Sequence, residues 1–595
     1  GSGNYKRGAS AVNYNLSNEE RLEALGWGLL LALLTSLPYL LGYIASPAEK
    51  YFLGFVLNPA DQNTYFMWMS QVASGEMLLR NLYTSIPHEG AILNLVFLAA
   101  GWAGKLLGSL DIAYQLLRLV ATVLLAWSVW LFVATFAGSR ERRRWLFLTV
   151  VFGAGVGWVW NLMRLWNGDF GGLVTDTELL SRPLDLWVPE GYVFYSMQVM
   201  PHFSLAIALL LLTVRYAAIG LVENRLGMTV TAGLLCFALS FVHPYDVLIA
   251  LGLAGSVAML YSLRQRTLSR VVWRHIGILL LIGSGPVLYN YWILNSNPGM
   301  QAWLVQNQSA SPPPASYLAG YGLLLIGAVL YTVKNRHELG ANLTPVQWLY
   351  AWLLILPLAL YAPIDFQRRL VIGAVAPLAV LSMLQLLDWL GERRFTARRA
   401  STATLATMLL LVSLSSTFHW LNSFRKTADH GGELFVENGM VDALQAIADA
   451  PDRHGTVLAR FETGNHVPRF SGRATVVGSR GQTGNFDQVR ASTEAFYRGD
   501  MSDDQMVAFL DAQRVRWVVI GPNEAAIMAP GTRQRLARLD LQPWYSDRDG
   551  RYQVLVPAPQ GERTASCNRM PAAAPANGSI DSNNNTGCNR HPDPA

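Results

Sequence analysis

The run Asn58-Pro59-Ala60-Asp61-Gln62-Asn63-Thr64-Tyr65 sets a carboxylate a short way past the first long apolar segment of the chain. An acid held where chain meets a bilayer surface contributes little to packing and suits proton abstraction. Asn58-Pro59 stops the chain and restarts it as a helix, so Asp61 falls in a first helical turn, where the dipole favours the ionised form. Two roles fit that position. Asp61 is either an N-terminal helix cap or a general base, alone or metal-assisted, facing an enclosed pocket. Asn63 and Tyr65, just downstream, are candidate substrate contacts.

A second group of residues could supply the opposite charge. In Tyr361-Ala362-Pro363-Ile364-Asp365-Phe366-Gln367-Arg368-Arg369-Leu370 two adjacent arginines stand at a helix boundary against the charge trend of the chain. They either snorkel or pair with Asp365, or they clamp a lipid phosphate, with Gln367 beside them, for which the planar guanidinium is suited. His243-Pro244-Tyr245-Asp246 interrupts two apolar runs, the first about fifteen residues long. A break at that depth must face a cavity, and His243, Tyr245 and Asp246 are read as substrate contacts or as a structural His/Asp pair. His202, after Met200-Pro201, is similar. Among the carboxylates Asp169, Asp176, Glu178, Asp185 and Glu190, most read as solvated loop residues, and Glu190 is the one assigned to the pocket.

The elements that must hold these residues follow from composition. Of 595 residues 52% are hydrophobic and 14% charged, and 19 are Trp; with a mean hydropathy of +0.25 this describes a polytopic membrane protein, mainly α-helical. The net charge of +6 sits in short clusters between apolar runs and reports topology, not nucleic-acid binding. A short apolar segment, 91–107, decides the count of spans. Laid along the interface, it leaves Lys6 and Arg7, Arg140 to Arg144, Arg264 to Arg274, Lys334 and Arg336, and Arg393 to Arg399 on one side. The positive-inside rule then gives about eleven spans in a cytoplasmic (inner) membrane, N-terminus inside. Residues 1–421 form the membrane domain, 422–557 a small extracytoplasmic α/β domain, and 558–595 a disordered tail. Cys236 lies in an apolar run, and no Cys/His cluster suggests zinc. No internal repeat and no pair of interrupted helices of the transporter kind is apparent.

A first span, a long loop with an acid near its start, two in-plane helices separated by Pro87-His88-Glu89, and a span opening with Arg118 together resemble the GT-C superfamily of integral membrane glycosyltransferases, in particular bacterial relatives of the protein O-mannosyltransferases and aminoarabinose transferases. The similarity covers about 22–421. It implies that Asp61 deprotonates an extracytoplasmic acceptor (glycan, lipid or protein), that the donor is a polyprenyl-phosphate-linked sugar held among membrane lipids, and that His88 and Glu89 line the substrate site. Many members carry a second acid where this chain has Gln62 and Asn63. A lone carboxylate beside amides is a thin ligand set for a divalent ion, so no cofactor is required, and a divalent metal, if one binds, falls to Asp61. Single displacement implies inversion at the anomeric carbon. The competing readings are a polysaccharide ligase or polymerase, and a transporter or flippase of lipid-linked substrates.

Overall fold

The computed structural model describes residues 16–168, 182–298, 300–301, 304, 308–392, 398–452 and 454–557. Lys6, Arg7, Asp169, Asp176, Glu178, Arg393, Arg394 and the tail 558–595 lie outside the described residues. The chain opens with α1 (Asn18–Ile44), started by a capping box in which Ser17 and Glu20 satisfy each other's backbone N–H. The strand β1 (Lys50–Phe52), α2 (Pro59–Ala73) and α3 (Leu95–Leu107) follow before α4 (Leu110–Ala134) re-enters the bundle. At 13 residues, α3 is about 20 Å long, too short to cross a hydrocarbon layer of about 30 Å. Asn94 caps it, and its first turn meets the His-Pro break: Leu95 N–H and the Asn94 amide donate to the carbonyls of Phe241 and Val242 at 3.1 Å.

The bundle continues as α5 (Arg140–Phe152), α6 (Gly157–Trp166), α7 (Val193–Val199), α8 (Pro201–Val222), α9 (Leu226–Ser240), α10 (Asp246–Gln265), α11 (Arg270–Gly283), α12 (Gly285–Ser296), α13 (Pro314–Lys334), α14 (Val346–Leu360), α15 (Val375–Glu392) and α16 (Arg398–Ala428). Eight helices among the described residues are long and apolar enough to cross a membrane, or nine if the α5/α6 pair, bent by 46°, is one span. The expected count of eleven differs by α9 and α14. Each has 15 residues and rises only about 22 Å. The basic cluster is also less solvated than composition suggests, because Arg140 and Arg144 pair with Glu23, and Arg143 with Glu20 at 2.6 Å.

Two of the membrane helices are interrupted. Between α5 and α6 lies Gly153-Ala154-Gly155-Val156-Gly157, and α13 is broken at Gly322, with φ +42° and ψ −119°. The two breaks pack on each other through Val156 N–H, which donates to the Ala319 carbonyl at 2.9 Å, while Ala154 N–H donates to the Val412 carbonyl of α16 at 2.8 Å. Asp185, read from sequence as a solvated loop acid, is buried here, and its Oδ2 accepts from the N–H groups of Gly155 and Gly157 at 3.0 Å each. Every backbone donor freed from Ala154 to Gly157 is therefore satisfied within the protein, as a break inside an apolar bundle requires.

The last membrane helix runs to Ala428, beyond the composition change at 422. Past it, β2 (Phe435–Glu437) pairs antiparallel with β1, Lys50 opposite Glu437. The C-terminal α/β domain continues with α17 (Asn438–Asp449), β3 (Thr456–Leu458), α18 (Phe461–Gly464), α19 (Val467–Ser471), β4 (Ala474–Thr475), α20 (Phe486–Arg498), α21 (Asp503–Ala512), β5 (Val515–Ile520), α22 (Pro522–Ala525), α23 (Thr532–Arg538), β6 (Leu541–Ser546) and β7 (Gln553–Pro557). Its five-stranded sheet has the order β4-β3-β5-β7-β6, with β4, β3 and β5 parallel and β7 antiparallel to both neighbours. The domain lies on the loop between α1 and α4: Thr475 N–H donates to the Leu82 carbonyl at 2.8 Å, and Ser85 to Gln513 at 2.5 Å.

Candidate active site

Asp61 is the third residue of α2, exposed at its N-terminus. It is not the cap. That role falls to Asn58, in the left-handed region at φ 46°, whose Oδ1 accepts from Asp61 N–H at 3.4 Å and whose Nδ2 donates to Asp61 Oδ2 at 2.5 Å. Gln62 and Asn63, which stand where an acid was sought, both turn into protein. Gln62 donates to the Leu57 carbonyl and accepts from Tyr114 Oη at 2.5 Å. Asn63, expected to touch substrate, instead spends its amide on the C-terminal domain, donating to Asn465 Oδ1 at 2.6 Å and to His466 Nδ1 at 3.1 Å and accepting from Arg469 at 3.2 Å. Burial first, and Arg469 second, push the His466 imidazole down to about 3, so its Nδ1 stays a neutral acceptor.

From α2 a row of rings leads across the bundle. Tyr65 stacks on Phe97 at 5.0 Å and lies 4.5 Å from the His202 ring at the start of α8. His202 is 6.2 Å from His243, whose Nδ1 is 2.7 Å from Asp246 Oδ1. Tyr245, 5.3 Å from His243, carries the Arg369 guanidinium 4.9 Å above its ring. Arg369 Nε donates to Ser309 Oγ at 3.0 Å, and the Ser309 carbonyl accepts from Arg368 N–H at 3.1 Å, which fixes the turn 367–371. Burial, then the charge of Asp61, hold the Tyr65 phenol well above its ordinary range, with Arg369 opposing and Glu190 adding to the shift. Base candidate, arginine and Glu190 thus share one electrostatic neighbourhood.

Among the described residues, three polar atoms along this row are buried without a hydrogen-bond partner: His202 Nδ1, Asp246 Oδ2 and Arg368 Nε. Such atoms cost stability unless something else meets them. Arg368 lies 4.9 Å over the Trp187 ring and Arg369 over Tyr245, so the two neighbours address different walls. Glu190 is buried in the turn 189–191, where its carbonyl accepts from Gly373 N–H at 2.9 Å.

Three expected contacts sit elsewhere. His88 is locked within its own loop, its Nε2 accepting from Asn81 N–H at 3.1 Å and its Nδ1 facing the Ile86 carbonyl at 2.8 Å; burial lowers its basicity. Glu89 is exposed beside it, and both line a cavity of about 690 Å³ with Arg80, Trp292 and Asn297, separate from the row of rings. Gln367 closes its own turn onto the Ile364 carbonyl at 3.4 Å. Among the described residues no three His, Cys, Asp or Glu side chains gather in a metal-binding arrangement. Residues that sequence reasoning missed are Asn58, Ser309, Asn465 and Arg469, all polar side chains whose partners are distant in the chain or set by a turn.

No family model and no curated protein sequence matches the chain. Solved structures match in fold. Archaeal oligosaccharyltransferase AglB from Archaeoglobus fulgidus, in complex with an inhibitory peptide and a dolichol-phosphate, superposes with a TM-score of 0.51 at 12% identity, covering 90% of this chain and 74% of that one. The apo form of the Archaeoglobus fulgidus oligosaccharyltransferase gives 0.50 at 11% identity, with the same coverages of 90% and 74%. ArnT from Cupriavidus metallidurans, bound to undecaprenyl phosphate, gives 0.44 at 13% identity over 90% of this chain and 99% of that one. The chain shares its fold with these archaeal oligosaccharyltransferase structures.

Proposed function

We propose that the protein transfers a glycosyl group from a polyprenyl-phosphate-linked donor to an acceptor on the outer face of the cytoplasmic membrane, with Asp61 as general base and inversion at the anomeric carbon. One observation carries the reading. The turn that bears Asp61 and the turn that bears Arg369 are joined by Tyr65, His202, His243 and Tyr245 in ring contact, with buried unpartnered polar atoms along the way. Glycosyl transfer needs a base on one side of an oxocarbenium-like carbon and stabilisation of the departing phosphate on the other. Exposed Asp61 faces acceptor; Arg369 and Arg368 hold phosphate. His202, His243, Tyr245, Asp246 and Glu190 meet sugar hydroxyls between them. The fold match to an oligosaccharyltransferase in complex with an inhibitory peptide and a dolichol-phosphate supports a lipid-phosphate donor and a separate acceptor.

The transporter reading gains some ground from the interrupted helices, since discontinuous spans hold substrates in transporters. The N–H groups freed between α5 and α6, however, are consumed by Asp185, Ala319 and Val412, and transfer is the better reading. The test is an assay with synthetic polyprenyl-phosphate sugars and mixed acceptors. Asp61→Asn is expected to lower turnover about 1000-fold with donor binding kept. Turnover retained in that variant removes the base assignment, and donor translocation in vesicles without transfer overturns the enzyme reading.

A further inference from the structure

The first turn of α2 is held from the C-terminal domain as well as from the bundle, where Tyr114 Oη donates to Gln62 Oε1 at 2.5 Å. Asn465 Nδ2 donates to the carbonyl of Ala60 at 3.2 Å and to Gly478 at 2.7 Å, while its Oδ1 accepts from Asn63 at 2.6 Å. Its own carbonyl accepts from Tyr83 Oη at 2.8 Å. One side chain therefore bonds the residue before Asp61 and the residue two after it. Arg469 adds a second hold. Its guanidinium donates to Asn63 Oδ1 at 3.2 Å and pairs with Asp111 Oδ1 at 2.7 Å, and it lies 3.9 Å from the Phe66 ring and 4.9 Å from Phe55. The planar fork serves both acceptors at once, which a lysine ammonium on one stem does not reproduce.

We infer that Asn465 and Arg469 are positioning residues: the C-terminal domain orders the turn 58–63 and so sets where the Asp61 carboxylate stands relative to the cleft. The inference rests on Asp61 acting as base, and it assigns the domain a part in the chemical step. A base displaced by about 1 Å costs about 100-fold in rate without loss of binding.

The experiment compares full-length wild type with Asn465→Ala and Arg469→Lys in nanodiscs, measuring backbone hydrogen exchange of residues 60–66 together with transfer kinetics. Expected are exchange faster by about 10-fold in that segment and kcat lower by about 100-fold, with the KM for polyprenyl-phosphate sugar unchanged. Arg469→Lys carries the test if Asn465→Ala does not yield folded protein. Exchange at the wild-type rate in both variants, or faster exchange with kcat intact, overturns the inference. Failure of the underlying reading looks different: Asp61→Asn then keeps turnover, while the exchange data still decide whether the domain orders the turn.

Discussion

Asn58 and Asp61 form one unit, the amide of the first donating to the carboxylate of the second at 2.5 Å while accepting from its backbone N–H. The cap is thus supplied by a neutral side chain, which leaves the second carboxylate oxygen of Asp61 uncommitted to the helix. Asn58 holds φ 46°, a conformation asparagine and glycine tolerate and alanine resists. Asn58→Ala is expected to cost about 2 kcal/mol from lost cap and left-handed strain, and Asn58→Gly about half that. Thermal unfolding in detergent checks the order, and equal losses in the two variants count against a left-handed cap.

The arginine pair lies over two aromatic walls, Trp187 and Tyr245, so each arginine is tested on its own. Removal of a charge-assisted contact to phosphate is worth about 2 kcal/mol, or roughly 30-fold in affinity. Arg369→Ala and Arg368→Ala are each expected to weaken binding of a polyprenyl-phosphate probe to that extent. Arg369→Lys should recover little, because it loses both the fork and the stacking on Tyr245. Unchanged probe affinity in both alanine variants reduces the pair to topological anchors.

Asp185 gives a pH dependence whose sign is fixed. Burial pushes its carboxyl up to about 7, against the bonds from Ser415, Gly157 and Gly155 that favour the anion. The folded protein therefore holds this proton where the unfolded chain, near 3.8, has released it. Its contribution to stability is complete below the unfolded value, falls as pH rises toward about 7 and is flat above, to a total of roughly 4 kcal/mol. Asp185→Asn keeps an acceptor for the two glycine N–H groups and removes the charge. Its unfolding temperature is expected to exceed wild type at pH 8 and to vary less between pH 5 and 8. An identical pH profile in the variant shows that other groups govern it.

The residues legible in the sequence were those whose type clashes with their surroundings: an acid after an apolar run, a His-Pro-Tyr-Asp break between spans, two arginines at one boundary. Membrane composition makes such residues conspicuous, and the structure brings His202, His243, Asp246 and Arg369 to one row. What stayed hidden depends on tertiary partners. Asn63 looked like a substrate contact because Asn465, 402 positions away, is invisible to local pattern. His88 looked functional because an imidazole in a loop does not announce that its own loop consumes both nitrogens. The break in α5/α6 did leave a trace, three glycines in Gly153-Ala154-Gly155-Val156-Gly157, which an apolar window averages away.

That glycine run yields the most local test of the crossing between the two broken helices. A Cβ at Gly155 would stand 2.2 Å from the carbonyl oxygens of both Ala319 and Gly320. These are backbone atoms with no rotamer to give, so Gly155→Ala must push the breaks apart and strip Val156 N–H of its acceptor. At Gly252, by contrast, the nearest atom to an added Cβ is Ile355 Cδ1 at 3.6 Å, ordinary contact with a mobile methyl. Gly155→Ala is expected to lower stability by about 3 kcal/mol and Gly252→Ala by less than about 0.5. Thermal unfolding of both in one detergent reads the difference directly. Because the Tyr192 hydroxyl donates to the Gly320 carbonyl at 2.6 Å, next to the turn that carries Glu190, the strain at Gly155 should reach the cleft. A donor affinity that stays at the wild-type value in a folded Gly155→Ala protein would separate the crossing from the site.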